Sequence, residues 1–134
     1  MGAIADRDGT SASFGKSRRL LTAGQYRAVF DDAAVKVSHR NLLLLARITD
    51  HPQSRLGLVI AKKNVRKAVQ RNRIKRVARE LFRQLPPADP PLDVVLLARR
   101  GLDELDNTAL FAALGEQWQK LARNAARTPQ TRGN

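Results

Sequence analysis

Cysteine is absent from the chain, which excludes disulfide bonds and zinc sites with cysteine ligands and fits a reducing compartment. No apolar run approaches the ~20 residues that a membrane-spanning helix needs. The first fifteen residues, MGAIADRDGTSASFG, lack the apolar core of a signal peptide. A soluble, cytoplasmic protein without a membrane partner is therefore the default expectation.

The sequence also has few groups suited to catalysis or to metal binding. It contains no glycine-rich phosphate loop and no nucleophile motif. Its two histidines, His39 and His51, fall in predicted turns without metal-ligand spacing. Asp103, Glu104 and Asp106 precede the last predicted helix, where negative side chains interact favourably with the positive end of the helix dipole. We therefore predict no catalytic residue and no metal ligand in the protein, so chemistry on nucleic acid would need groups from a partner.

Acids are scarce relative to bases, with 12 Asp and Glu against 25 Lys and Arg. The net charge of +13 predicts a polyanionic partner, with nucleic acid as the first candidate and an anionic membrane surface as the second. A length of 134 residues with 43% hydrophobic residues supports one domain with one core. We place this domain at residues 14–122, between a disordered leader at 1–13 and a flexible basic tail at 123–134.

Most of the charge lies between Lys62 and Arg83, where ten basic residues and one acid give a net charge of +9. From Gln70 onward the pattern is helical. Like charges at i, i+4 destabilise an isolated helix, so we expect a core contact and a polyanion to offset the repulsion. Apolar residues at helix spacing predict the face toward the core: Ile74, Val77, Ala78, Leu81 and Leu85. The basic ridge on another side consists of Arg71, Lys75, Arg79 and Arg83.

The other patterns predict a short first helix, capped by Thr22, and three strands before the basic helix, then one strand and one helix after it. The start of the basic helix is open, because Asn64 is a candidate cap but residues 64–69 can also form a loop. The predicted fold class is α+β, a two-layer sandwich of a four-stranded sheet and three helices in the order α-β-β-β-α-β-α. The predicted strands are 35–38, 42–48, 56–61 and 93–98, and the basic helix can form a parallel crossover between the last two.

The run Arg-Asn-Arg-Ile-Lys-Arg at residues 71–76 follows two lysines at the end of a predicted strand. This order resembles the protein subunit of bacterial ribonuclease P. The pattern of that family is Lys-Lys, a short variable turn, Ala-Val-x-Arg-Asn-Arg-Ile-Lys-Arg and a further Arg in the same helix. The resemblance spans about residues 14–122 and is specific because the whole set occurs in order. The matching positions are Lys62, Lys63, Ala68, Val69, Arg71, Asn72, Arg73, Ile74, Lys75, Arg76 and Arg79.

The resemblance implies a left-handed crossover between the third and fourth strands, although general rules favour a right-handed one. It implies two partners: precursor transfer RNA, and the catalytic RNA subunit of ribonuclease P, which carries the active site. The complex removes the 5′ leader of the precursor by endonucleolytic cleavage, using Mg²⁺ that is bound mainly by the RNA. The positions that the resemblance assigns to RNA binding are Lys62, Lys63, Arg71, Asn72, Arg73, Lys75, Arg76 and Arg79.

The resemblance also implies a cleft between the first helix and the sheet that holds the single-stranded leader. The second strand fits this, since Leu43 and Leu45 point to one side of it. Bases stack on aromatic rings without sequence preference. This strand has only leucine where family members can carry an aromatic residue, so stacking would depend on the first helix. The residues assigned to the cleft are Tyr26, Phe30, Leu43, Leu45 and Val59.

Two other functions would use the same basic helix. A ribosomal or other structural RNA-binding protein with no processing role would place it on RNA, but the paired lysines with the 71–76 motif argue against this alternative. A DNA-binding protein would place it in the major groove, but the second helix of a helix-turn-helix is missing. We therefore expect RNA partners and no DNA partner.

Overall fold

The computed structural model describes residues 18–85 and 90–127. Its elements follow the predicted order α-β-β-β-α-β-α. The predicted leader at 1–13 and residues 128–134 of the predicted tail lie outside the described residues. Within the described part, no helix is long and apolar enough to cross a membrane. The helices are α1 (Ala23–Asp31), α2 (Ala68–Gln84) and α3 (Asn107–Arg127), and the strands are β1 (Val35–Ser38), β2 (Leu42–Ile48), β3 (Arg55–Val59) and β4 (Leu92–Ala98).

The four strands form one mixed sheet in the spatial order β1-β2-β4-β3. The β1-β2 and β2-β4 pairs are antiparallel, and Leu44 lies opposite both Val37 and Leu96. β3 lies parallel to β4, and α2 connects these two strands. The predicted parallel crossover is therefore confirmed. Its left-handedness stays a prediction.

Alternate residues of each strand point to opposite faces of the sheet. Leu44 and Leu96 point to the face covered by α2 and α3, where they belong to the main core. Leu45 and Val95 point to the other face, where α1 places the fully buried Val29. Because α1 has only 9 residues, it leaves apolar side chains on this second face half-buried.

Thr22 caps α1 as the sequence predicts. Its hydroxyl oxygen accepts a hydrogen bond from Gln25 N at 3.1 Å, and the Gln25 side-chain oxygen accepts one from Thr22 N at 3.1 Å. These two bonds form a capping box, and such a cap contributes about 1 kcal/mol to helix stability. The cap fixes where α1 begins and therefore which of its side chains face the sheet.

α2 begins at Ala68, two residues before the helical pattern predicts, and Lys67 is its N-cap without a side-chain hydrogen bond. Asn64 does not cap this helix. Its side-chain amide donates instead to Ala98 O at 2.9 Å, which ties the loop after β3 to the end of β4. Residues 64–67 are therefore a loop that is fastened to the sheet.

The contact of α2 with the core is centred on Ile74, Ala78 and Phe82, and the sequence pattern identified only the first two. Phe82 is 4% exposed, and its ring meets that of Trp118 edge to face, with centroids 5.1 Å apart. The core face is therefore rotated slightly from the predicted one. Its half-buried margin consists of Val77, Leu81 and Leu85.

α3 continues to Arg127, so residues 123–127, which the sequence assigns to a flexible tail, are helical. Leu121 and Ala125 are buried one helical turn apart and extend the apolar face of α3 along the core. The helix continues to Arg127 because its apolar face still packs against the main core at Leu121 and Ala125. The prediction of a flexible tail rested on the polar and basic composition of residues 124–134, which include Pro and Gly.

Candidate nucleic-acid interface

The eight side chains assigned to RNA binding differ in exposure. Four are exposed, in the turn after β3 or on the outer side of α2: Lys62, Lys63, Asn72 and Arg76. The other four are half-buried and lie along α2: Arg71, Arg73, Lys75 and Arg79. The helix thus separates the predicted set into an outer group and a group in contact with the rest of the fold.

Arg73 points toward the start of α3. Its guanidinium donates to Asn107 Oδ1 at 2.7 Å, to Leu105 O at 2.9 Å and to Asp103 O at 3.2 Å. It also donates to Gln70 Oε1 at 2.8 Å within α2. The planar, five-donor group of arginine suits such a set of acceptors. Arg73 therefore joins two helices, which its position in a basic run does not reveal.

Arg71 fastens the loop that precedes α2. Its Nη1 donates to Val65 O at 3.0 Å and to Arg66 O at 2.8 Å. Val65 itself is fully buried, so the loop is held from the core side as well. The basic turn before the helix is thereby kept in one position relative to the exposed side of α2.

Arg79 is a half-buried residue of α2. Burial lowers the pKa of its guanidinium, the charge of Arg19 lowers it further, and Tyr26 acts in the opposite sense. Arg19 forms an isolated parallel bridge with Leu56 of β3. Arg79, a member of the basic ridge, therefore interacts electrostatically with Tyr26 of the predicted cleft.

Three of the five predicted cleft residues pack against one small cluster between α1 and the sheet. Tyr26, Leu45 and Val59 are half-buried around a small cluster, which consists of Leu20, Val29 and Val95. Leu43 is half-buried on the same face, two positions from Leu45. Phe30 is 43% exposed and lies outside this cluster. Of the two aromatic residues of α1, Tyr26 is half-buried against this apolar cluster, and Phe30 is exposed outside it.

Tyr26 also fastens β3, which is an edge strand of the sheet. Leu58 N donates a hydrogen bond to the Tyr26 hydroxyl oxygen at 3.1 Å. Leu20 N donates to Leu56 O on the same strand at 3.0 Å. Both bonds satisfy backbone groups that an uncovered edge would leave open to another chain. The periodicity of α1 gives no sign of this contact.

A second concave surface lies at the N-terminal end of α2, with a volume of about 490 Å³. Sequence reasoning omitted three of its cations from the site. Two of them, Arg66 and Lys67, were visible in the charge run, but only the fold brings Arg100 to the same place. The charged side chains around it are Lys63, Arg66, Lys67, Arg100, Asp103 and Glu104.

Within residues 18–85 and 90–127, no three His, Cys, Asp or Glu side chains form a group that could hold a metal ion. The two histidines stabilise turns. His39 Nδ1 accepts a hydrogen bond from Asn41 N at 3.0 Å, and His51 Nδ1 accepts one from Gln53 N at 3.1 Å.

Comparison with known sequences identifies the family. The family model for Ribonuclease P matches residues 14–122. The ribonuclease P protein component of Pseudomonas paraeruginosa is 52% identical over 120 residues, which cover 88% of this chain and 87% of the relative. That of Marinobacter nauticus is 48% identical over 111 residues, which cover 83% of each chain.

Solved structures share the fold. The RNase P protein of Staphylococcus aureus matches with a TM-score of 0.70 at 21% identity, over 84% of this chain and 98% of that one. The RNase P protein of Thermotoga maritima, in complex with 1-(4-fluorophenyl)-2-thiourea, matches with a TM-score of 0.64 at 26% identity, over 78% of this chain and 98% of that one. The resemblance seen in the basic motif is confirmed, and the chain belongs to the ribonuclease P protein family.

Proposed function

We propose that this protein binds the catalytic RNA of ribonuclease P through α2 and holds the 5′ leader of precursor transfer RNA in the cleft beside α1. Its family makes it a protein component of ribonuclease P. In the proposed arrangement it assists the endonucleolytic removal of the leader, which gives the mature 5′ end. No processing-independent function is needed to account for its charge or for its cleft.

The observation that carries the RNA-binding part is the division of α2 into two sides. Ile74, Ala78 and Phe82 anchor the helix in the core, while Asn72 and Arg76 on its other side are exposed. A rigid helix with an exposed basic side can track phosphates without reading sequence. The bonds made by Arg71 and Arg73 keep this side in place, so these two residues support the surface from within the fold.

The cleft suits a single strand of variable sequence. Tyr26 and Phe30 are one helical turn apart, so both rings can meet successive bases. Leu45 and Val59 supply an apolar floor next to Tyr26. Arg79, near Tyr26, adds a positive charge for the backbone of the strand. None of these contacts depends on base identity, which fits leaders that differ from one precursor to the next.

The proposal leaves the active site in the RNA partner, with Mg²⁺ held mainly by that RNA. Hydrolysis of the phosphodiester needs a water nucleophile and stabilisation of the developing charge, and bound Mg²⁺ supplies both. The residues of this chain then contribute binding and orientation, which place the scissile bond without taking part in the chemistry.

The test compares two ligands of the reconstituted holoenzyme, precursor with its leader and mature transfer RNA. Stacking of a base on an aromatic ring is worth roughly 1–3 kcal/mol, which is about fivefold to over a hundredfold in affinity. Tyr26→Ala should therefore weaken precursor binding by a factor in this range and leave binding of mature transfer RNA nearly unchanged. Equal losses for both ligands, with folding intact by circular dichroism, would refute a leader site at Tyr26.

A further inference from the structure

We propose that Gly57 is a positioning residue for the leader, because its missing side chain lets the Tyr26 ring lie directly against β3. This inference rests on the leader cleft proposed above. Gly57 itself would not touch the leader. It would act through the ring by setting how deep the ring lies and which of its surfaces remains accessible to a base.

The first observation is the closeness of the ring to the strand. A Cβ atom at Gly57 would lie 2.6 Å from Cε2 and 2.8 Å from Cζ of Tyr26, and 3.0 Å from Cδ1 of Leu20. Any side chain at this position therefore collides with a ring whose own packing holds it in place. The ring would have to move away from the strand by about 1 Å to reach ordinary contact distance.

The second observation excludes a backbone reason for the glycine. Among the glycines in the described part of the chain, only Gly101 has a positive φ, of 93°. Gly57 lies inside β3 in a conformation that any residue can adopt. The close approach of Tyr26 is thus the feature that requires a glycine here.

The third observation is that the ring is fixed at its far end. The Tyr26 hydroxyl oxygen accepts a hydrogen bond from Leu58 N at 3.1 Å, one residue beyond Gly57. Gly57 sets the distance of the ring from the sheet, and the hydroxyl sets its position along β3. A ring held in this way, half-buried beside Leu45 and Val59, offers one defined surface to the cleft. A base that stacks there meets a platform already in place, so less entropy is lost on binding.

The experiment is a double-mutant cycle in the reconstituted holoenzyme. Gly57→Ala, Tyr26→Ala and the double variant are compared with the natural protein for binding of precursor and of mature transfer RNA. Gly57→Ala should weaken precursor binding by about threefold or more, and by less than Tyr26→Ala does, because displacement weakens stacking without abolishing it. Mature transfer RNA should bind as before. The double variant should match Tyr26→Ala, since without the ring there is nothing to displace.

Gly115→Ala is the matched control. A Cβ at Gly115 of α3 meets no atom within 4 Å, so the same chemical change there should leave both affinities unaltered. Folding of every variant is checked by circular dichroism and thermal melting, and binding is measured below the lowest melting temperature.

The outcomes separate this proposal from the one on which it rests. If Tyr26→Ala does not weaken precursor binding selectively, the leader site itself fails. If Tyr26→Ala does so and Gly57→Ala does not, or if the two losses add in the double variant, the positioning proposal alone is overturned. Failure of Gly57→Ala to fold would also overturn it, because the glycine would then serve the packing of the chain and not the leader.

Discussion

Arg71, Arg73 and Arg76 belong to one short run, yet α2 turns their side chains toward three different surroundings. Arg71 bonds to carbonyl oxygens of the preceding loop, and Arg73 bonds to acceptors around the start of α3. Arg76 is exposed. Three chemically identical residues therefore have separable contributions to folding and to RNA binding.

Replacing Arg73 should destabilise the protein far more than replacing Arg76. Arg73→Ala removes four hydrogen bonds and leaves partly buried acceptors without a donor, so we expect the free energy of unfolding to fall by about 2–4 kcal/mol. Arg76→Ala, on the exposed side of the same helix, should change it by no more than about 0.5 kcal/mol. Urea unfolding of the two variants makes the comparison. Equal stabilities would mean that the bonds of Arg73 do not hold the helices together.

Sequence reasoning at this scale succeeded where periodicity or a local motif carries the information. Ile74 and Ala78 were predicted in the core, and the cap at Thr22 was read from residue type. Phe82 extends the same face by one turn and could have been found from its spacing. The contact of Tyr26 with Gly57 could not, because it joins residues on different elements through tertiary packing and leaves no periodic signal.

At the scale of the elements, the parallel pair β3-β4 contains a partly buried ion pair that the sequence pattern did not predict. Asp93, at the start of the predicted fourth strand, is 1% exposed and lies opposite Arg55 in the register of the pair. Arg55 donates to both carboxylate oxygens, at 2.8 and 2.7 Å. The bond to Asp93 raises the pKa of the Arg55 guanidinium, although burial opposes the change. A buried acid of this kind is stable only while its partner is present.

Removing Arg55 should therefore be more harmful than removing the whole pair. Arg55→Met leaves the buried Asp93 carboxylate uncompensated and should lower the free energy of unfolding by about 3 kcal/mol or more. The double variant Arg55→Met with Asp93→Leu replaces both charges by apolar groups and should recover most of that loss. Chemical denaturation of the three proteins gives the values. A double variant no more stable than Arg55→Met would contradict this account.

The basic side of α2 makes a prediction about salt. If about six cations of α2 and of the basic turn before it contact phosphates, the log–log slope of catalytic-RNA affinity against salt concentration should be about −4 to −5. Arg76→Ala should flatten that slope by about one contact's share. Lys120→Ala, which removes an exposed cation from α3, should leave it unchanged. A slope near zero, or the same slope in Arg76→Ala and in Arg79→Ala as in the natural protein, would place this side of α2 in solvent.

At the scale of the whole molecule, the fold positions two surfaces on opposite faces of one sheet. α2 packs on the face that carries Leu44 and Leu96, and α1 packs on the face that carries Leu45 and Val95. The element order was predictable because hydrophobic periodicity marks each helix and strand, and the parallel crossover was predictable because α2 lies between β3 and β4 in the chain. The way in which the elements meet was not predictable. Arg100 lies beside the basic turn before α2 because of the loop geometry at the ends of β3 and β4.

The same organisation predicts what the protein does without RNA. The described residues bring basic and apolar surfaces together but no group of three or more potential metal-binding side chains, and the sequence has no nucleophile motif. RNA-free protein should therefore leave precursor transfer RNA intact at every Mg²⁺ concentration tested. Addition of the catalytic RNA should produce cleavage at the mature 5′ end, and at near-physiological salt Arg76→Ala should require more protein to reach the same rate. Cleavage that persists in the protein after nuclease treatment and repurification would show that the chain carries catalytic groups of its own, and the division of labour proposed here would then be wrong.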